Sequence, residues 1–387
     1  MSEVVVAGGA MTPFNRRKDG SGLRDWARTV FFDALSDARL EAGDIDALVL
    51  ASESDFFTLQ LNPAALIADE LGLFGIAAQR VEGGGASGHL AVHAGAAMVM
   101  AGRAHRVAVL GLEPSASHLP GTAVGALYGL SFDAWTDGMT GIDSTSLYAL
   151  SVQAFMEETG AREADFAAIA ARNRQNARAN PNAHLPLDIA AADVAASPVI
   201  AQPYRRLDCS PLSDGAACVI LAGAAALPDG GAGRARIAGM GVANDRVRLG
   251  ERARPGRFEA KGVAMRRALA EAGTAVAEIG LAEIYDSYSG AQLQALDGLG
   301  LAVDVVRAER EGVFAAEGAL PVNLSGGLLG QGAPVGATGV AQVLACALQL
   351  EGRYFGRRVA TPPRYALADT HGGVATLNAV SILEGAR

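Results

Sequence analysis

The sequence predicts an α/β fold built from two similar halves, and three observations predict it. Short β-branched runs alternate with helical patterns along most of the chain. One unit, a strand leading through a glycine-rich turn into a helix of small residues, occurs twice, at 79–102 and at 320–350. The chain has 387 residues, more than one ordinary core of about 100–200 residues accommodates.

The elements follow in order. "VVVAGGAM" reads as a strand and residues 23–41 as an amphipathic helix. "IDALVLAS" at 45–52 is a strand, 62–71 a short helix, and "AQRVEGG" a strand end. The stretch 86–102 is a helix rich in Ala and Gly, and "RVAVLGLE" at 106–113 is another strand. After residue 225 the plan repeats. It gives a strand at 234–244, a helix at 258–272 stopped by Gly273, and "LAEIYDSYS" as a strand entering the helix of 290–299. "PVNLSGGLLGQGAPVGATG" bridges into the helix of 337–350, and "YALADTHGGVATLNAVSILE" reads as a two-stranded hairpin. Residues 114–205 break the alternation with a helix, "YALSVQAFMEETG", and a polar loop, "RNRQNARANPNAHLPL". The division is therefore an N-terminal half, 1–225, carrying a loop insertion at 114–205 that caps the site, and a C-terminal half, 226–387. Packed back to back, the halves bring their two helix starts together. The plainer role for the Gly and Ala is close helix packing.

Composition narrows the partners. Half the residues are apolar and 19% are charged, as in a globular protein. The formal net charge of −9 argues against nucleic acid or anionic lipid as a general partner. Any anion site must use arginine, because Lys18 and Lys261 are the only lysines. Cys209, Cys218 and Cys346 show no CxxC spacing, which fits a reducing, cytoplasmic setting. No segment has the ~18 uninterrupted apolar residues of a membrane span. His89 and His93 lie four apart on a predicted helix with no third ligand in view, so no metal is expected.

Three segments in order, "RNRQNARANPNAH" (172–184), "ASPVIAQPYRRLDCSPLSDGAA" (196–217) and "NLSGGLLGQGAPVGATG" (323–339), resemble the thiolase superfamily, in particular its sterol-carrier-protein type. The resemblance implies a five-layered α-β-α-β-α thiolase fold from two duplicated halves, a homodimer, and coenzyme A thioesters as substrates. Coenzyme A then enters as part of the substrate, and no covalently bound cofactor is expected. The family's nucleophilic cysteine belongs to a "C-A-S-G" stretch, which here is Gly85-Ala86-Ser87-Gly88. The histidine of "G-H-P-x-G-A-T-G" is replaced by Ala333, and the "H-D-x-F" element reads Tyr285-Asp286-Ser287-Tyr288. Near the C-terminus "LADTHGGVAT" offers Asp369 or His371. Asn323, Ser325, Gly326 and Gly327 resemble a segment that lines the family's substrate channel.

What survives at position 85 is a backbone N–H at a helix start, a fixed donor suited to an oxyanion. Paired with an N–H of the 371–373 turn, such as that of Gly373, it can hold a thioester oxygen as the α-carbon becomes an enolate. This points to retro-aldol cleavage of a β-hydroxyacyl-CoA, with Tyr285 as acid or base, His371 as proton carrier and Asp286 as orienter of neighbouring loops. The pattern resembles thiolase-like aldolases of steroid side-chain degradation, which implies a small OB-fold/zinc-ribbon partner protein. Two other readings stand beside it: an acetyl-CoA acyltransferase activity with an unrecognised nucleophile, and a non-catalytic acyl-CoA-binding or scaffold subunit. Cys209 reads as packing, and Cys218 and Cys346 as inert core. Arg205, Arg206 and the run from Arg246 to Arg257 are candidates for the coenzyme's phosphates. Replacement of the "GHP" histidine by Ala333 leaves one expected proton-transfer group unaccounted for.

Overall fold

The computed structural model describes residues 3–16, 20–227 and 231–386; Lys18 lies outside the described residues. The N-terminal half runs β1 (Val4–Met11), α1 (Leu23–Ala38), β2 (Ala47–Ala51), α2 (Asp55–Thr58), α3 (Pro63–Glu70), β3 (Ala77–Val81), α4 (Ser87–Met100) and β4 (Arg106–Pro114). Between β4 and the next long strand lie α5 (Gly121–Tyr128), α6 (Ser144–Thr159), α7 (Glu163–Ala177), α8 (Ala191–Ala196) and the short strands β5 (Val199–Ala201) and β6 (Tyr204–Arg205). The chain then returns through β7 (Asp214–Gly223). The C-terminal half follows as β8 (Arg236–Asn244), α9 (Glu259–Ala272), β9 (Ile279–Glu283), α10 (Ser289–Gly298), α11 (Val305–Arg310), α12 (Gly327–Gln331), α13 (Val335–Leu350), β10 (Tyr365–Gly372) and β11 (Leu377–Glu384).

Nine strands form one sheet in the order β3-β2-β4-β7-β1-β8-β11-β10-β9. β1 and β8 meet at a single bridge, Val5 with Arg236, so the sheet is two half-sheets joined at a narrow seam. Between them lie α4 and α13. All of Val335–Leu350 is buried, as a helix covered on every side must be. The two helices touch backbone to backbone: a Cβ on Gly88 would stand 2.8 Å from the Gly339 Cα, and one on Gly339 2.6 Å from the His89 nitrogen. Trp26, Phe31 and Ile67 of α1 and α3 cover the outer face of the first half-sheet. Met265 and Leu293 of α9 and α10, with Phe155 of the insertion, cover the second. The result is the five-layered α-β-α-β-α thiolase arrangement.

Two local readings change. Residues 172–177, expected in a polar loop, are the last turns of α7, with Asn173, Arg174 and Asn176 buried. Their polar side chains have buried partners, which a composition-based reading cannot see. "DGAACVILAG", which carries the "SDGAA" loop signal at its start, is the long strand β7. It is buried on both faces and therefore shows no alternation.

Candidate active site

The glycine turn after β3 and the turn after β10 press against each other. Gly84 takes a left-handed φ of 57°, which glycine adopts without steric cost. Ser87 fixes the turn, its hydroxyl donating to the Gly84 carbonyl at 2.7 Å and accepting from the Gly83 N–H at 3.0 Å. A Cβ on Gly84 would lie 3.4 Å from Gly372 Cα and 3.8 Å from Gly373 N. A Cβ on Gly85 would fall 2.8 Å from Tyr285 Cζ, and closer still to the Tyr285 hydroxyl and the His371 carbonyl oxygen. The phenol of Tyr285 thus fills the space that a side chain at position 85 would need.

Tyr285 is held between two anchored neighbours. The Ile284 N–H donates to Asn323 Oδ1 at 2.7 Å. Asp286 accepts from Leu328 N at 2.6 Å and from Asn173 Nδ2 at 2.7 Å. The tyrosine faces a cavity of about 150 Å³ whose lining includes Gly85, Gly373, His371, Tyr148, Tyr288, Glu53 and Ala333. Four of the five predicted catalytic positions, Gly85, Tyr285, His371 and Gly373, are therefore brought together. Asp286 stands behind the wall and positions Leu328, which lines it.

His371 and Tyr148 form a short relay. The Tyr148 hydroxyl donates to the Gly373 carbonyl, so its oxygen accepts from His371 Nε2 at 2.9 Å. This places the imidazole proton on Nε2 and a lone pair on Nδ1, which is buried without a partner among the described residues. Burial, reinforced by the Lys261 and Arg252 charges, holds His371 well below the usual histidine range. Burial, with Tyr148 and Glu53 nearby, holds Tyr285 well above the usual tyrosine range. Of the two C-terminal alternatives, His371 lines the cavity, whereas Asp369 pairs with the buried Lys261 at 2.5 Å.

Asn323, Ser325, Gly326 and Gly327 are absent from the cavity lining. Asn323 also donates to Gln292 Oε1 at 2.9 Å, and the Ser325 hydroxyl donates to Glu283 at 2.5 Å. A Cβ on Gly327 would press on the Asp286 carboxylate, 2.5 Å from Oδ1. Together they brace the loop behind Tyr285. Several of the proposed phosphate-binding arginines are committed elsewhere. Arg248 pairs with Asp133 and Glu251, Arg254 and Arg257 share Glu158, and Arg252 donates to the Arg246 and Val374 carbonyls. No cysteine lines the cavity; burial pushes the Cys209 thiol up to about 12. His89 bonds the Ala379 carbonyl and His93 the Ser381 hydroxyl. Among the described residues no group of three His, Cys, Asp or Glu is placed to hold a metal.

Sequence reasoning missed Glu53, Tyr128 and Tyr148, all of which line the cavity. Glu53 had a usable signal: it follows the C-terminal end of β2, a parallel strand, where α/β folds place their ligand-facing residues. Tyr148 had none, because α6 reads as an ordinary helix.

Comparison with known proteins agrees with the architecture. Residues 4–225 match the family model "Thiolase, N-terminal domain" and residues 241–385 match "Thiolase C-terminal domain-like". An acetyl-CoA acetyltransferase of Methanothermobacter thermautotrophicus is 33% identical over 385 residues, 99% of this chain and 99% of its own. A 17-hydroxy-3-oxo-4-pregnene-20-carboxyl-CoA lyase of Mycobacterium tuberculosis is 27% identical over 366 residues, 88% of this chain and 90% of its own. Among solved structures, the Ltp2-ChsH2(DUF35) aldolase superposes with a TM-score of 0.84 at 22% identity, over 100% of this chain and 98% of that one, and shares the fold.

Proposed function

The chain belongs to the thiolase family, and on that premise we propose that it is a non-standard member cleaving a β-hydroxyacyl-CoA by a retro-aldol reaction. The observation that carries this reading is the exchange at one point in space. Where a side-chain nucleophile would stand, position 85 is glycine and the Tyr285 phenol takes the room. Covalent acyl transfer needs a nucleophile, and the cavity holds no cysteine. Enolate chemistry needs only proton transfer and a place for negative charge.

The steps use this chain's own groups. The β-hydroxyl loses its proton to a base in the cavity, which afterwards restores the Tyr285 phenol; the Cα–Cβ bond breaks, and a ketone or aldehyde leaves. The Cα–Cβ electron pair becomes an enolate whose thioester oxygen is held by the Gly85 and Gly373 N–H groups. One such donor contributes roughly 3–4 kcal/mol to an oxyanionic transition state. Tyr285, kept protonated by its burial, delivers a proton to Cα. His371, neutral and bonded to Tyr148, holds that side of the cavity and assists the transfer.

The names of two relatives favour different reactions, acetyl transfer in one and a lyase reaction on a carboxyl-CoA in the other. The absence of a cysteine from the cavity lining favours cleavage here. We further propose a homodimer, acting with a small OB-fold/zinc-ribbon partner in the cytoplasm. One solved neighbour joins Ltp2 to a DUF35 component. Among the described residues no helix is long and apolar enough to cross a membrane. Exposed Phe74 lies in the segment leading into the edge strand β3, and exposed Phe56 is on α2, whose Asp55 pairs with Arg80 of β3, a surface suited to such contacts. Incubation with a β-hydroxyacyl-CoA bearing a tertiary β-carbon tests the reaction: ketone release that Tyr285→Phe abolishes supports cleavage, and binding without turnover supports a non-catalytic subunit.

A further inference from the structure

The aldolase reading requires a group that takes the β-hydroxyl proton, and Ala333 leaves the position of the family's "GHP" histidine without one. Ala333 itself borders the cavity, beside Tyr285 and Leu328. A carboxylate in the same cavity keeps one oxygen without a partner among the described residues. Glu53 is half-buried. Its Oε1 accepts from Ser131 Oγ at 2.9 Å and stands 3.7 Å from where a Cβ on Gly84 would be. Its Oε2 is enclosed without a hydrogen-bond partner among the described residues. An unsatisfied buried carboxylate oxygen is costly, and such costs are kept where they serve chemistry.

The backbone around it is fixed from behind. Glu113 on β4 is fully buried. It accepts from the Glu53 N–H at 2.6 Å and from the Gly336 N–H of α13 at 3.2 Å. Glu53, Ser131 and Gly373 also line a second, adjoining cavity with Gly83, Gly84 and Phe57. Glu53 therefore stands at the junction of the two spaces, next to the paired glycine turns. No lysine or arginine lines either cavity.

We propose that Glu53 is the general base of the cleavage and that Ser131 positions its carboxylate. This rests on the aldolase reading. Glu53 takes the proton from the β-hydroxyl oxygen, and the O–H electron pair becomes the π bond of the departing carbonyl. The Cα–Cβ pair passes into the enolate, Tyr285 protonates Cα, and the proton on Glu53 returns to the Tyr285 phenolate. No other reactant is consumed, and the hydroxyl proton is replaced at Cα. The electrostatics agree. Burial, opposed by the Ser131 hydrogen bond and aided by Glu82, raises the Glu53 carboxyl to about 7, close to the pH at which a general base works best. The titratable groups facing it are Glu82, Glu113, Tyr128, Tyr148 and Tyr285.

The test compares wild type with Glu53→Gln in the ketone-release assay across pH 5–9. The expected result is a wild-type kcat/KM that rises with pH through about 7, and a Glu53→Gln variant roughly 10²–10⁴-fold slower in kcat with that rise gone and KM little changed. Wild type that releases ketone while Glu53→Gln stays within a few-fold, or keeps the rise, overturns the assignment and leaves the aldolase reading standing. Wild type that releases no ketone overturns both. Should Glu53→Gln not fold, Ser131→Ala decides. Loss of its hydrogen bond moves the rise to higher pH if Glu53 is the base, and an unmoved profile overturns the assignment.

Discussion

Tyr285 and Gly85 share one volume: the phenol occupies what would be the side-chain space of the glycine, against the His371 carbonyl. The Gly85→Ala substitution therefore forces a methyl group against a ring and a backbone oxygen at once. The carbonyl belongs to β10 and cannot swing aside. We expect a stability loss of about 1–3 kcal/mol by denaturant titration and, because Tyr285 is displaced, a drop in ketone release of about 100-fold. Gly85→Cys should behave the same way and should not yield an acylated protein.

His371 is a buried imidazole. Its affinity for a proton is lowered by burial and by Lys261 and Arg252, so it stays neutral as pH falls from 8 through the ordinary histidine range near 6.5. Nitrogen-15 NMR of the imidazole should show a fixed Nε2–H tautomer with no titration between pH 8 and 6. A midpoint near 6.5 would contradict the buried relay to Tyr148.

Third, Asp286→Asn should weaken the scaffold behind Tyr285. The carboxylate accepts from Leu328 N and Asn173 Nδ2, and an amide cannot accept on both sides. One buried donor is left unpaired, at a cost of about 1–3 kcal/mol. Activity should fall mainly in kcat, because Leu328 shifts in the cavity wall while the substrate's remote contacts persist.

Fourth, Glu283 gives a signed pH dependence. Burial raises its carboxyl to about 7, above the ordinary 4.5. The folded state then holds a proton that the unfolded state releases, so the stability it contributes is complete below about 4.5 and is lost as pH rises through about 7. Glu283→Gln removes this loss. The variant's stability relative to wild type should improve between pH 5 and pH 8 by about 1–3 kcal/mol, measured by urea titration at both pH values. A difference independent of pH would contradict the assignment.

Much of the fold was legible because its signals are local. Gly273 ends α9 with a left-handed φ of 63°, and the alternating strands and helices follow their periods. The legible part of the candidate site was the part carried by motifs: Gly85 and Tyr285 sit in turns just past strand ends, and His371 lies at the end of β10 beside Gly372 and Gly373. Glu53, just past β2, and Tyr148, on α6, are far apart in sequence and meet the others only through the packing of layers. Ser325 is the converse case. A motif put it in the channel, but its hydroxyl turns away to Glu283, a partner no single sequence reveals.

In the proposed reaction, cleavage proceeds through an enolate with no acyl group on the protein. The most direct measurement is turnover of a β-hydroxyacyl-CoA in deuterated water without added free coenzyme A, followed by mass spectrometry of product and protein together. The account predicts one ketone per turnover, one deuterium at Cα of the product acyl-CoA, and an unchanged protein mass. Dependence on free coenzyme A, or a protein carrying the acyl group, would contradict it.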